Sequence, residues 1–200
     1  MPSFFNLCKT SGMKKLALFA SGNGTNVQRI VEYFADNANI RIKLIVCNNA
    51  KAYVLERAKR LGIESYLIKD KELFYNSDAV LEILQQNSID FVVLAGFLWL
   101  IPHPIIEAFP NRIINLHPAL LPKYGGKGMY GMHVHEAVIA NKESESGISI
   151  HYVNQRYDEG KIIFQAKCTL SPDDTPETLA QKVHALEYEY FPKIIDREIL

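Results

Sequence analysis

Two polar side chains stand at the end of a short apolar run, where they could carry out chemistry. Asn115 and His117 close the segment 113–116, which the run of apolar residues predicts to be a buried strand. Residues i and i+2 of a strand point to the same side, so both side chains would face one small volume. An Asn amide can donate to a developing oxyanion, and a His can hold or move a proton near pH 7. The alternative is that His117 satisfies backbone groups in a turn before Pro118.

A carboxylate further along the chain is a candidate partner for this pair. Asp158 lies in the turn Tyr157-Asp158-Glu159-Gly160, between two predicted strands. A structural Asp in such a turn hydrogen-bonds its own backbone. A functional Asp158 would lie against His117 and favour the imidazolium by charge proximity. The sequence leaves both interpretations open, because nothing local shows that the two residues meet.

A glycine-containing loop follows the first predicted strand and opens the first predicted helix. In the segment 21–26 (SGNGTN), Gly24 lets the backbone approach a ligand, and Thr25 and Asn26 add side-chain donors. Free N–H groups at a helix N-terminus favour a phosphate or carboxylate, although a tight turn without ligand has the same composition. NAD binding is disfavoured, because Val27 replaces the third glycine of the dinucleotide motif and no acidic residue ends the second strand.

The elements that must position these residues alternate along the chain. Five apolar runs predict strands, at 16–20, 42–47, 66–68, 91–95 and 113–116. Helical patterns or caps separate these strands, and one of them predicts a helix over 78–86 with Ser77 as its N-cap. Segments 147–153 and 161–168 have no helix between them and predict an antiparallel pair. A long helix begins at Thr175-Pro176, with Leu179, Val183, Leu186 and Tyr190 on its buried face. We therefore expect an α/β fold of the Rossmann-like kind: a mostly parallel sheet with helices on both faces, antiparallel C-terminal strands and a long C-terminal helix.

Composition narrows the class of protein. The chain has 200 residues and is 48% hydrophobic, which suits a single domain over 13–200 after a disordered leader over 1–12. Lys+Arg and Asp+Glu are both 22, so the neutral chain has no general attraction for nucleic acid or membrane. Three dispersed cysteines argue against disulfides and a cysteine metal site, and no apolar run spans a membrane, so we expect a cytoplasmic protein. The pair His133 and His135 does not share a helix face, which disfavours a metal.

Taken together, these motifs resemble the folate-dependent formyltransferases, and among them those that act on glycinamide ribonucleotide. The matching stretches are 21–26 (SGNGTN), 94–97 (LAGF), 115–124 (NLHPALLPKY) and 158–160 (DEG), in the family's order. The resemblance covers the chain from about Met13 to its C-terminus. It implies an enzyme of purine biosynthesis that uses 10-formyltetrahydrofolate as co-substrate, needs no metal, and is a monomer or a homodimer.

The resemblance also implies residue roles. Asn115, His117 and Asp158 match the catalytic trio. Gly24, Thr25 and Asn26 match the loop that holds the substrate phosphate, and Glu187 matches an acidic residue at the ribose. The segment Leu98, Trp99, Leu100 and Ile101, with Asn115, matches the folate pocket.

This sequence departs from the family pattern at several ligand contacts. Trp99 and Phe74 stand at or near positions where some relatives have Arg, and His184 stands where some have Gln. The glycine-rich segment 124–131 is longer than in relatives with a Pro-Gly turn. Its glycine-rich part, 125–131, could be a flap over the site or a plain surface loop.

Four other functions have to be weighed on the sequence. A formyltetrahydrofolate hydrolase could use the same trio, but water needs no phosphate loop. A sugar-nucleotide formyltransferase fits the loop less well, and transfer to methionyl-tRNA is disfavoured by the neutral charge. A non-catalytic nucleotide-binding domain would need only the loop and would leave the trio without a task.

Overall fold

A computed structural model describes residues 12–199 of the chain. The strands are β1 (Lys14–Ala20), β2 (Ile40–Cys47), β3 (Glu64–Leu67), β4 (Phe91–Leu94), β5 (Ile113–His117), β6 (Glu145–Tyr152) and β7 (Ile162–Thr169). The helices are α1 (Thr25–Tyr33), α2 (Val54–Leu61), α3 (Lys71–Asn76), α4 (Ala79–Gln86), α5 (His103–Ala108), α6 (Met132–Ala140) and α7 (Pro176–Ile199). The predicted leader lies, apart from its last residue, outside the described part.

The strands form one seven-stranded sheet in the order β3-β2-β1-β4-β5-β6-β7. The pairs from β3 to β5 are parallel, whereas β6 runs antiparallel to both β5 and β7. The predicted α/β architecture is therefore confirmed, including the antiparallel C-terminal strands and the long C-terminal helix. The chain order reverses between β1 and β4, and open α/β sheets bind ligands at the carboxyl ends of strands beside such a reversal.

Two apolar cores lie on opposite faces of the sheet. Because side chains alternate along a strand, Leu16 and Leu18 of β1 point to one face, and Ala17 and Phe19 point to the other. The first face is covered by α1, α2, α6 and α7, and the second by α3, α4 and α5. We call these two sets of buried residues the α7-side core and the α4-side core.

Several boundaries differ from the sequence predictions. The third strand is Glu64–Leu67 rather than 66–68, and α3 was not predicted at all. Asp70 caps α3 by accepting hydrogen bonds from the backbone N–H groups of Glu72 and Leu73. The prediction of Ser77 as N-cap of α4 was wrong, because Ser77 ends α3 and Asp78 takes the N-cap position.

The long C-terminal helix begins as predicted. The Thr175 hydroxyl accepts a hydrogen bond from the backbone N–H of Thr178, which satisfies a free donor of the first turn. Leu179 and Val183 are fully buried, whereas Leu186 and Tyr190 pack only partly buried against the same core, which Phe191 completes. Among residues 12–199, no helix combines the length and apolar character that crossing a bilayer requires.

Candidate active site

One large cavity opens at the carboxyl ends of β1, β4 and β5. Its volume is about 670 Å³, within the range of small-molecule sites. Every residue for which the sequence predicted a role lines it: Gly24, Thr25, Asn26, Leu98, Trp99, Leu100, Ile101, Asn115, His117, Asp158 and Glu187. The fold therefore brings together segments that are more than 130 residues apart in the chain.

A connected set of polar side chains forms the centre of the cavity. The Asn115 Nδ2 lies 3.1 Å from His151 Nε2 and 3.4 Å from Asp158 Oδ1. The His151 Nδ1 lies 2.9 Å from the carbonyl oxygen of Tyr152. A carbonyl can only accept, so Nδ1 carries the proton, and the bare Nε2 accepts from the Asn115 amide. His151 thereby fixes the orientation of Asn115, a role that the sequence analysis missed.

His117 occupies the other side of Asp158. Its Nε2 lies 2.7 Å from the carbonyl oxygen of Tyr124 and must therefore carry a proton. Its Nδ1 lies 3.5 Å from Asp158 Oδ2. The predicted meeting of His117 and Asp158 thus occurs across 41 residues of chain, because the turn after β6 folds back over the end of β5.

The protonation of this pair depends on burial as well as on charge. Burial lowers the pKa of His117 below its ordinary value, and this outweighs the Asp158 carboxylate and the Tyr124 carbonyl, which raise it. Asp158 favours the imidazolium, as predicted, but burial outweighs it, since a ring only 3% exposed loses more hydration than one carboxylate returns.

Asp158 itself is held as a carboxylate. Burial raises its pKa, but the combined effect of His151, His117 and the backbone N–H of Gly126 is larger and lowers it, so the net shift of the pKa is downward. The Gly126 N–H donates to Asp158 Oδ2 at 2.9 Å. Asp158 has a positive φ of 57°, a conformation that Asp adopts more readily than most residues. The result is an ionised carboxylate at the centre of the site.

The glycine loop forms one end of the cavity. Gly24 is the N-cap residue of α1 with a φ of 77°, and no side chain of the described chain caps the helix. A Cβ at Gly24 would lie 2.5 Å from Val54 Cγ2, so the tight approach of α2 requires glycine. The Arg57 guanidinium holds the loop by donating to the Asn23 carbonyl at 2.8 Å. The first-turn N–H groups of α1 therefore face the cavity in a fixed arrangement that suits an anion.

A buried carboxyl group lies beside this loop. The Asn26 amide donates to Glu187 Oε2 at 2.8 Å. Glu187 lies on α7 and is 6% exposed, and burial raises the pKa of its carboxyl group. His184, one helical turn earlier, also lines the cavity. This part of the cavity thus combines helix N–H groups, which suit an anion, with side chains that can hydrogen-bond other polar groups of the same ligand.

Another wall of the cavity is apolar. Trp99 packs against Phe74 with ring centroids 5.5 Å apart and against Phe97 at 6.3 Å. The Lys71 ammonium lies 5.6 Å from the centre of the Trp99 ring. The Leu98 N–H donates to the Ser21 hydroxyl, which ties this wall to the glycine loop. A flat aromatic ligand would find stacking surface here.

The glycine-rich segment 124–131 closes one side of the cavity. Gly126 is bonded to Asp158, and Met129 N–H donates to the Gly126 carbonyl. The segment leads into α6, where His135 is buried and His133 is exposed, so the two imidazoles do not share a face. Whether the segment acts as a flap stays a prediction. Within residues 12–199, no group of three potential ligands is arranged to hold a metal ion.

Comparison with known proteins agrees with this site. Residues 14–195 match the family model described as Formyl transferase. The chloroplastic phosphoribosylglycinamide formyltransferase of Arabidopsis thaliana is 40% identical over 188 residues, covering 91% of this chain and 64% of the relative. The Bacillus subtilis protein of the same name is 35% identical, with 92% and 93% covered. The solved phosphoribosylglycinamide formyltransferase of Streptococcus pneumoniae TIGR4 superposes with a TM-score of 0.82 at 34% identity, covering 94% of this chain and 100% of that one.

The chain therefore belongs to the formyl transferase family. Its relatives and structural neighbours place it, within that family, among the phosphoribosylglycinamide formyltransferases, as the motifs predicted. The chain spans less than two thirds of the plant relative and nearly the whole of the bacterial one.

Proposed function

We propose that this protein transfers the formyl group of 10-formyltetrahydrofolate to the amine of glycinamide ribonucleotide, in the cytoplasm and without a metal. The observation that carries the proposal is the Asn115–His151–Asp158–His117 network, which lines the same cavity as the glycine loop and the apolar aromatic wall. A reaction that moves a one-carbon group from a flat aromatic carrier to a phosphorylated amine needs an anion-binding loop, polar reacting groups and an aromatic wall in one cavity.

The two substrates of the proposed reaction suit different parts of the cavity. Gly24, Thr25 and Asn26 would hold the phosphate of the acceptor, and Glu187 would accept from a ribose hydroxyl. The pterin and benzoyl rings of the donor would lie along Leu98–Ile101, with Trp99 as a stacking surface. Both reacting groups then meet at Asn115.

The chemistry is a direct transfer between two nitrogen atoms. The neutral amine attacks the formyl carbon and forms a tetrahedral species with a negative oxygen. The bond from that carbon to N10 of the folate then breaks. The amine loses one proton and N10 gains one, so the reaction needs a proton relay and no covalent enzyme intermediate.

The polar network can serve each of these steps. The N–H groups of Asn115 and His117 donate at rest to neutral acceptors and to the Asp158 carboxylate. A developing oxyanion competes well for them, because charge-assisted hydrogen bonds are stronger than neutral ones. The N–H of a neutral His117 suffices as donor, which agrees with its lowered pKa. The ionised Asp158 can accept the amine proton, directly or through water, and return it to N10.

A formyl-transfer assay tests the proposal. The purified protein is given 10-formyltetrahydrofolate with and without glycinamide ribonucleotide, and released folate and formylated acceptor are both quantified. We expect folate release only with the acceptor and in equal amounts with formylated product. Release without the acceptor would indicate the hydrolase, and release with a nucleotide-linked amino sugar alone would indicate the sugar-nucleotide enzyme.

Asn115→Ala provides the control for chemistry. It should lower kcat by about 10²-fold or more, which is the usual effect of removing an oxyanion donor. Binding of both substrates, measured by titration, should stay within a few-fold. Bound substrates with no turnover in the wild-type protein would favour a binding domain and would overturn the proposal.

A further inference from the structure

The cavity contains a second buried imidazole that the proposed chemistry does not use. His135 lies in the first turn of α6 and is only 2% exposed. Its Nδ1 has no hydrogen-bond partner within the described part of the chain. Buried polar atoms almost always find a partner, so an exception that lines a ligand cavity indicates a group that the ligand satisfies.

His135 lies near groups from both functional parts of the cavity. Burial and, to a smaller extent, the nearby imidazoles of His184 and His117 lower its pKa to about 4. His184 also lies close enough to Glu187 to affect the pKa of that carboxyl group. His135 therefore shares the cavity with Glu187 at the proposed acceptor end and with His117 at the reaction centre.

The chemistry of a neutral imidazole limits what it can bind. It offers one donor and one acceptor and no charge. A phosphate is better bound by a cationic side chain and an ammonium by a carboxylate, so neither is the expected partner of His135. A hydroxyl group can donate to Nδ1 or accept from it, so it satisfies this atom in either tautomer of the ring. The nearby Glu187 carboxyl group can take a second hydroxyl. The two side chains together suit two neighbouring hydroxyls on one ring.

We propose that His135 binds a sugar hydroxyl of the acceptor substrate and, with Glu187, recognises the vicinal diol of its ribose. This inference rests on the proposed function and names a specificity residue that neither the motifs nor the comparisons assign. His135 is a positioning residue, because it holds the acceptor without touching the reacting atoms.

Steady-state kinetics of His135→Leu test the inference. Leucine has a similar volume but no polar atom. The KM for the acceptor should rise about tenfold, the effect of one lost hydrogen bond, while kcat and the KM for the folate stay within twofold. The melting temperature at pH 7 should be unchanged or higher, since the variant removes an unsatisfied polar atom. His135→Asn, which restores a donor and an acceptor, should recover part of the affinity.

His133→Leu is the matched control. It lies two residues earlier on the same helix, and its side chain is 62% exposed. It should leave both KM values unchanged. If His135→Leu lowers the melting temperature and alters kcat and both KM values, His135 has a structural role and the inference is overturned. An unchanged acceptor KM would also overturn it.

Two further arms separate this inference from the proposed function. Two acceptor analogues are tested, each of which lacks one of the two ribose hydroxyls. The analogue that lacks the hydroxyl bound by His135 should bind equally to His135→Leu and to the wild-type protein. If His135→Leu weakens the binding of both analogues as much as that of the intact acceptor, the hydroxyl assignment is overturned. Titration of glycinamide ribonucleotide without the folate reports binding alone. Wild-type binding without transfer would overturn the function while the same titration of His135→Leu still decides the inference. No binding to the wild-type protein would overturn both.

Discussion

Asp158 is the residue through which the candidate site is connected. One carboxylate receives the Gly126 N–H and lies within 3.5 Å of nitrogen atoms of Asn115, His117 and His151. Two donors, the Gly126 N–H and the Asn115 amide, point at this carboxylate. The lowered pKa of Asp158 agrees with a charge maintained at neutral pH.

Asp158→Asn should therefore remove activity while leaving the fold intact. The substitution keeps the shape but loses the charge and the proton-accepting ability. We expect kcat to fall by about 10²–10⁴-fold with both KM values within a few-fold. Glu159→Gln is the control, because Glu159 is exposed and its one ion pair within residues 12–199 is with Arg156. A variant with near wild-type kcat would remove Asp158 from the proton relay.

His151 should act through Asn115 rather than on the substrate. His151→Leu removes the acceptor that orients the Asn115 amide. We expect kcat to fall about tenfold with little change in KM, which corresponds to one lost hydrogen bond. In a double-mutant cycle with Asn115→Ala, the His151 effect should disappear, because the orienting residue then has nothing to orient. Additive losses in that cycle would indicate an independent role for His151.

At the scale of elements, the sequence predicted the positions of the site well and their connections poorly. Asn115 and His117 could be placed together because two residues on one strand share a face. His151 was missed because it sits within the mostly buried β6, where a single His has no local pattern that separates it from a core residue. Asp158 could be suspected, but its contact with His117 depends on the antiparallel pairing of β5 and β6, which has no local signature.

The unpredicted helix α3 illustrates a different limit. It spans only six residues, which is too short for the 3.6-residue hydrophobic repeat of a helix to be recognised in the sequence. Its cap, Asp70, was visible in the sequence and could have indicated it. The sign of the His117 pKa shift was also beyond reach, because burial depends on the packing of the whole site.

The loop that opens α1 depends on one glycine. Gly24→Ala would strain a positive φ and press a Cβ against Val54. We expect a loss of about 1–3 kcal/mol in the free energy of unfolding and at least a tenfold rise in the acceptor KM. Denaturant unfolding and kinetics measure the two effects. Gly22→Ala is the stability control, since a Cβ there meets nothing within 4 Å. Equal stability of the two variants would contradict the packing argument.

At the scale of the whole molecule, acidification should destabilise the fold through His135. Its pKa is about 4 in the folded protein against 6.5 for a free imidazole. The folded pKa is the lower one, so the unfolded state binds more protons and stability falls as the pH drops from 6.5 towards 4. These values correspond to a loss of about 3 kcal/mol. His117 acts in the same direction, whereas the raised pKa of Glu187 acts in the opposite one.

Subtraction isolates the His135 contribution. Urea unfolding of the wild-type protein and of His135→Leu is compared at pH 7 and pH 4.5, so that the effects of the other groups cancel. The leucine variant should be the more stable of the two at pH 4.5 by about 2–3 kcal/mol. A difference that does not change between the two pH values would mean that His135 titrates normally.

The two cores on opposite faces of the sheet have a consequence for how this enzyme can change over time. The α7-side core supports α1, α6 and α7, which carry the proposed acceptor end, whereas the α4-side core supports Phe97 and Trp99 at the proposed donor end. Leu179→Ala and Leu84→Ala are matched changes, one in each core, and each should cost about 2–5 kcal/mol. The first should weaken mainly acceptor binding and the second mainly donor binding. Selection can then tune each affinity separately, and a lineage can acquire a new carrier or a new acceptor without rebuilding the other half.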